Sequence, residues 1–539
     1  MHAPAPPLKH PGRTTSRHTR TPSAAALWAA LVAPLLCVAC GGNDDGNANA
    51  GSCAADVPAP DAFVPVSGPG GPRTAFPSAP SAAPCAFLDG GDGDPDHHNG
   101  LFMIDGYLVM PWAPEWADGG MSVFDFSDAC SPKRLNTVEA VAMRETHATG
   151  LSQHAGRWMA VTHLKGISFW DISDVTTPVF GSTLELPGVF YPDAYARVVM
   201  SLFWQAPYVY VAGADNGLYI VDATDPLSPE LVATYNFEVP LRAGAVFAVG
   251  NLLVVSAAEG TRTALLDISD PTAPAPIPGG TFEVTDETGT PREVYHSHLN
   301  GDKLWYARKG GGGGLIVYDI KNTSAPSYLG GNSPPNSNGG YVFIKDQQAF
   351  VGESNFGDVF DVSNPTDVKL EHTFHLQADG DLTTDPGDFD TLIPVGNIVI
   401  AASDENDKTT EYPDGEVEGR ASQVFALSAD ADTQGPSVTM VNPPAGAAGV
   451  ALSSRVGITL SEFVELGSVF EGSFQVVKPG CKKPLAGYYS GQEGILNFWP
   501  AEPLEAHTTY EVVIPAGGIT DYLGNPLREE FRSTFTTAD

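Results

Sequence analysis

The chain has 539 residues, 64 acidic against 28 basic side chains, and a formal net charge of −36. That length is enough for two or three domains, and so acidic a chain repels phosphate backbones and anionic head groups, which argues against nucleic-acid binding. With 58 Gly and 46 Pro, the composition suits a loop-rich all-β protein rather than a helical one.

Residues 1–39 read as an export signal. Four basic residues (Lys9, Arg13, Arg17, Arg20) precede an almost wholly apolar run, Ala24 to Ala39, too short to span a bilayer. Cys37-Val38-Ala39-Cys40-Gly41 resembles a bacterial lipoprotein signal, with Leu36 beside the position where Leu is usual. The resemblance implies that Cys40 becomes the acylated N-terminus, and several acyl chains make a stable anchor. Gly41 after Cys40 resembles the outer-membrane sorting pattern. The expected location is therefore the bacterial cell envelope, outer membrane or cell surface, with the lipid as the sole membrane contact.

Residues 40–88 are rich in Gly, Asn, Asp, Ala, Pro and Ser and hold too few large apolar groups to offset the entropy of ordering. They are expected to form a disordered tether. Four cysteines remain beyond the anchor: Cys53, Cys85, Cys130 and Cys481. Disulfides are plausible in an exported protein, and three connectivities are open. Cys85 and Cys130 flank the first repeat, which favours that pair.

From residue 89 to 432 a unit recurs about every 45 residues, the period of a propeller blade. Its most regular part is an apolar run ending in aspartate, then a turn of Ser, Asp and Pro. Examples are ISFWDISDVTTP (Asp171), LYIVDATDPLSP (Asp222) and TALLDISDPTAP (Asp267). Asp125, Asp319 and Asp361 occupy the same place in three further copies, and a seventh copy has Ala426 there. Two apolar runs precede each of these and one follows, giving four short strands per unit. The aspartates are expected to cap turns, with the following Pro preventing the strand from continuing. They fall on different blades and so do not share one metal. This motif resembles the LVIVD-repeat proteins, bacterial surface proteins expected to form β-propellers, and the resemblance implies the fold more firmly than any activity.

Residues 433–539 change pattern after Asp432. About seven alternating strands over roughly 100 residues are of sandwich size. The segment resembles the bacterial Ig-like domains related to those of S-layer proteins. The matching residues are Pro443 and Gly446, Ser461-Glu462, Phe498 with Pro500, Leu504, Tyr510, Asp521 with Gly524-Asn525-Pro526, and Phe535-Thr536-Thr537. Such domains act as spacers or adhesive modules. The fold expected is thus all-β: a seven-bladed propeller followed by an Ig-like sandwich.

Chemistry is expected where inner strands converge on the propeller axis. The residues read as preceding those strands are His97 and His98, Thr146 and His147, Tyr195 and Arg197, Arg242, His296 and His298, Asn336 and Asn338, and Asp388 and Asp390. Of these, His147, His296, His298, Asp388 and Asp390 are the candidate metal or ligand site, because imidazoles and carboxylates converging from several blades suit a transition metal. The competing reading is that polar residues line a wet channel. Asp89 to Asp96 starts like a calcium loop, but His97 and Met103 stand where Gly and Glu are needed, so the EF-hand pattern fails. The run Gly310 to Gly314 lacks a P-loop ending, and no Gly-x-Ser-x-Gly or His-Glu-x-x-His motif is present. The function expected is a non-catalytic cell-surface binding or adhesion scaffold, with a cell-envelope or extracellular protein or glycan as partner. The second reading is an enzyme holding a divalent metal ion at the channel mouth.

Overall fold

Seven four-stranded antiparallel sheets follow one another around an axis. The computed structural model describes residues 70–81, 83–88, 100–112, 119–140, 148–163, 165–189, 199–309, 312–376, 382, 389–402, 422–481 and 483–539. All of these fall in one compact unit, Cys53–Asp539. Cys40, Cys53, the Asp89–Asp96 loop, His97, His98, Thr146, His147, Tyr195, Arg197 and Asp388 lie outside the described residues. No described helix is long and apolar enough to cross a membrane.

Blade 1 runs Phe102–Ile104, Tyr107–Trp112, Gly119–Asp125 and Lys133–Ala140, from the axis outward. The inner strands of blades 2 to 7 are Thr149–Ser152, Ser201–Gln205, Ala243–Val249, Val294–Asn300, Val342–Lys345 and Thr391–Val395. The second and third strands are apolar almost without a break because neighbouring blades cover both their faces. Outermost strands alternate, as in Glu230–Tyr235, because only one face is covered.

The repeat aspartates sit at the end of each third strand. Asp171 Oδ1 accepts from the Ser173 amide at 2.9 Å, and Asp222 Oδ1 from the Thr224 amide at 2.8 Å. Asp125, Asp267, Asp319 and Asp361 do the same with the residue two places on. The Ser127 hydroxyl and amide hold Asp125 below the usual carboxylate range, and Ser363 does so for Asp361. A second Asx turn follows three residues later, at Asp174, Asp225 and Asp270. In six blades a bulge interrupts the ladder just before the repeat aspartate, as between Phe169 and Trp170. Turn and bulge together re-aim the fourth strand. Asp171→Ala or Asp222→Ala should therefore lower stability by about 0.5–2 kcal/mol, as lost side-chain caps do. Urea unfolding checks this, and an unchanged midpoint would leave the motif without its structural reason.

Blade 7 explains the divergent last repeat. Its fourth strand is Ala86–Leu88, which pairs with Ser422–Ala426 in the register Ala86↔Val424. No turn has to join third strand to fourth, so Ala426 can replace aspartate. These three residues, read from sequence as the end of the tether, instead close the ring. Phe76 and Ser81 also bond to Ala429 and Ala426 through their backbones. Cys85 and Cys130 are bonded, joining the closing strand to the turn of blade 1. Cys481 is disulfide-bonded too.

The C-terminal segment forms two sheets. One orders Val438–Asn442, Val456–Leu460, Ile495–Pro500 and Gly487–Gln492; the other orders Ala447–Val450, Phe531–Thr537, Thr509–Ile514 and Gln475–Val477. Phe474, Phe498, Tyr510 and Phe535 fill the space between them. The first sheet does not end at the domain. Ser490 and Gly491 pair with Ser152 and Leu151, so it continues into the inner strand of blade 2.

Candidate functional site: the plugged channel

The hairpins joining inner to second strands all face the same end of the propeller, and the Ig-like domain sits on that end. It reaches every blade. Besides the shared sheet with blade 2, Glu465 Oε2 accepts from Gly106 N in blade 1 at 3.3 Å, and Ser490 Oγ from Ala206 N in blade 3 at 3.0 Å. Asn442 Oδ1 accepts from Asn251 N in blade 4 at 2.9 Å. Asn300 of blade 5 donates to the Leu460 carbonyl at 2.7 Å, and Asp346 N of blade 6 to the Ser461 carbonyl at 2.6 Å. At blade 7, Leu523 packs where a Gly396 side chain would be. Gly250 is at φ +56°, and a Cβ there would collide with the Asn442 carbonyl, so this close approach requires glycine.

Two buried polar groups organise the contact. Asn497 Oδ1 accepts from Gly250 N at 2.9 Å and Gln205 Nε2 at 3.0 Å, while its Nδ2 donates to the Ala248 carbonyl at 2.9 Å. Arg157 of blade 2 donates both terminal nitrogens to Asp105 of blade 1, one bond being 2.8 Å long; both side chains are 1% exposed.

The tip of the hairpin Gly487–Pro500 enters the channel. Glu493 stands there at φ +51°, followed by Gly494. Its Oε2 lies 3.8 Å from Nδ1 of His298. His296 and His298 lie within the inner strand of blade 5, not before it, and share its channel face because side chains alternate along a strand. Phe247 of blade 4, Phe343 of blade 6 and Phe463 of the Ig-like domain surround His298, with centroids 5.9–6.2 Å away. His296 packs on Tyr341 at 4.7 Å, and its Nδ1 accepts from Val342 N at 3.4 Å. Burial pushes both imidazoles down to about 3, so both are neutral, and pushes Glu493 up to about 7. A cavity of about 40 Å³ touches His296, Glu493 and Phe463, which is room for a water molecule or two.

The structure thus brings His296 and His298 to one face. Asp390 immediately precedes the inner strand of blade 7, its carbonyl accepting from Tyr341 N at 2.9 Å, and Tyr341 in turn packs on His296. Among the described residues, one group of three metal-ligating side chains has its ligand atoms within 4.8 Å of one another: Asp432, Glu462 and Asp521, with no channel histidine among them. Glu493 and Phe463 were invisible as channel residues in sequence, since only the docking of one domain on the other places them there.

At the opposite face lies a cleft of about 580 Å³ between blades 3 and 4, lined in part by Asn236, Phe237, Arg242, Thr261 and Arg262. Arg242 pairs with Glu259 at 3.2 Å, and Lys309 stands 4.6 Å above the Tyr295 ring.

Residues 432–537 match the bacterial Ig-like domain family, and residues 199–237, which contain blade 3, match the LVIVD repeat. The chain is thus an all-β protein of propeller-like blades that carries an LVIVD repeat in its third blade and a bacterial Ig-like domain at its C-terminal end. No curated protein matches this propeller protein. Among solved structures it is similar to the periplasmic gluconolactonase of Pseudomonas aeruginosa, at 10% identity and TM-score 0.45, covering 60% of this chain and 85% of that one. It is similar also to a protein from Lactobacillus plantarum, at 13% and 0.43, covering 51% and 84%. A third is Sqt1 of Saccharomyces cerevisiae, at 10% and 0.42, covering 65% and 100%.

Proposed function

We propose that the LVIVD propeller is a lipid-anchored scaffold of the bacterial cell surface that binds an envelope or extracellular protein or glycan through the face opposite its Ig-like domain. The observation that supports this reading is the seating of the Ig-like domain. It closes one mouth of the channel and touches all seven blades, and the 580 Å³ cleft lies on the opposite face. A cleft of that size with an aromatic side chain and a few polar groups is of the ordinary ligand-binding kind. Among the described residues, the cavity beside His296 holds about 40 Å³, room for little more than water.

One experiment tests both parts. Cys40→Ser should move the protein from the membrane to the soluble fraction, and mass spectrometry should show the acyl mass lost. The released protein should then bind isolated cell envelopes, and Arg262→Glu at the cleft should weaken that binding by about tenfold. A wild type that is soluble and unlipidated would sink the anchor, and envelope binding indifferent to Arg262→Glu would sink the cleft site.

A further inference from the structure

Where the chain passes from the last blade into the Ig-like domain, carboxylates from separate segments converge. Asp432 belongs to the connecting segment, Glu462 follows the strand Val456–Leu460, and Asp521 lies in the loop closed by the Thr520–Pro526 bridge. One oxygen of each lies within 4.8 Å of the others. Asp346, from the inner hairpin of blade 6, stands beside them. Lys345 Nζ is 2.7 Å from Asp432, 3.4 Å from Glu462 and 3.3 Å from Asp346. Arg528 is 2.8 Å from Asp346.

Four acidic side chains therefore face two basic ones, a formal deficit of two positive charges. The side chain of Glu462 is 2% exposed and that of Asp432 12%, and Asp521 is 2% exposed as a residue. Buried charge without a counter-charge is costly. Hydrogen bonds answer part of the need: Asp521 accepts from Leu523 N, Asn525 N and Asn525 Nδ2, and Asp432 accepts from Gln434 N. Glu462 Oε1 is answered by none of the described residues. The Arg528 guanidinium stands 3.9 Å from it, beyond hydrogen-bond reach.

We infer that this junction is a binding site for a hard divalent cation, calcium by its chemistry, which ties the Ig-like domain to blades 6 and 7. The three converging ligands are all oxygens, the donor set of calcium and magnesium rather than of zinc or copper. Calcium–oxygen bonds of about 2.3–2.6 Å place opposite ligands about 5 Å apart, whereas magnesium needs them about 4 Å apart. A cleft of about 1000 Å³, lined in part by Gln347, Ser437, Thr439 and Ser461, opens beside the cluster and brings water to the remaining coordination positions. A charge of two matches the deficit. Lys345 is the competitor, bridging Asp432 and Glu462; on binding, its ammonium turns to Asp346, already 3.3 Å away. The inference stands apart from whichever partner the face opposite the Ig-like domain binds.

The test is calcium titrated into the EDTA-treated protein, read by calorimetry and melting temperature. One saturable site with Kd about 10⁻⁴–10⁻³ M is expected above a diffuse background, as for extracellular modules, with a rise in Tm. Glu462→Gln and Asp432→Asn should each remove that site and its Tm increment. Lys345→Met should do the opposite: a lower Tm than the wild type in EDTA, recovery with calcium, and tighter binding. If the acidic variants fold poorly, Lys345→Met carries the test alone. No saturable site, an undiminished Tm increment in Glu462→Gln, or a Lys345→Met protein indifferent to calcium overturns the inference.

Discussion

Asp105→Asn should destabilise the protein by about 3–5 kcal/mol, the cost of breaking a buried ion pair from one side. Asp105 sits in the inner hairpin of blade 1 at φ +51°, a conformation asparagine tolerates as well as aspartate, so the backbone is not at issue. What changes is the partner. Arg157, from the matching hairpin of blade 2, is 1% exposed and places two terminal nitrogens on this carboxylate. Asparagine offers one acceptor oxygen and no charge. Glu465 of the Ig-like domain stands next to the pair, its oxygens accepting from Gly106 N and Gly467 N. Losing the pair therefore loosens the joint between two blades and the cap together. Arg157→Met alone should cost a similar amount, because it strands Asp105. The double variant should be more stable than either single one, since apolar replacement of a whole buried pair is often neutral. Urea unfolding of the four proteins decides it. A loss below about 1 kcal/mol in Asp105→Asn, or additive single effects, would show that the pair does not hold this joint.

The propeller was legible because each repeat carries its own local signal. Asp171 announces its turn within three residues, through Ser173, and six copies announce it independently. Even the divergent Ala426 has a physical reading once Ala86–Leu88 supplies the fourth strand. That strand itself was hidden: three residues in a Pro- and Ala-rich stretch have no period to display, and only the open edge of Ser422–Ala426 recruits them. The Cys85–Cys130 bond was favoured by position. The candidate site was less legible. His296 and His298 show the spacing of one strand face, but nothing in sequence fixed where the strand starts, and it starts at Val294. Glu493 reads in sequence as an ordinary exposed hairpin residue. Its burial depends on Ser490 and Gly491 pairing with blade 2, a contact between segments far apart in the chain. The acidic junction is hidden for the same reason, because Asp432, Glu462 and Asp521 meet only after the Ig-like domain docks.

The glutamates that docking buries should lower stability as pH rises from about 5 to 7, opposing the rise that buried, neutral His163, His296 and His298 give up to about 6.5. Glu493 faces His298 and Gln492 in the channel, and burial pushes it from 4.5 up to about 7. Glu465 faces Asp105, Arg157 and Tyr522, and burial pushes it to about 7 against the pull of its amide donors and Arg157. Asp358 in blade 6 rises to about 6, also by burial. Between the ordinary value and the raised one, the folded protein holds more protons than the unfolded chain, so each unit of pH reduces stability. The contribution is complete below about 4.5 and lost as pH passes 7. At 1.36 kcal/mol per unit, Glu493 and Glu465 each account for roughly 3 kcal/mol at most. Carboxylates held low by hydrogen bonds, such as Asp125 and Asp361, act only below their ordinary range and leave this window untouched. The measurement is urea unfolding at pH 5, 6, 7 and 8 in EDTA, which keeps cation binding at Glu462 out of the result. Glu493→Gln keeps the shape of the hairpin tip and removes its titration, so it should match the wild type at pH 5 and exceed it at pH 8. His298 is neutral in the fold but takes up a proton below about 6.5 when unfolded, so it raises stability between pH 5 and 6.5, and His298→Gln should make the fall over that range steeper. A Glu493→Gln protein with the wild-type slope would mean that the hairpin tip meets water rather than the channel wall.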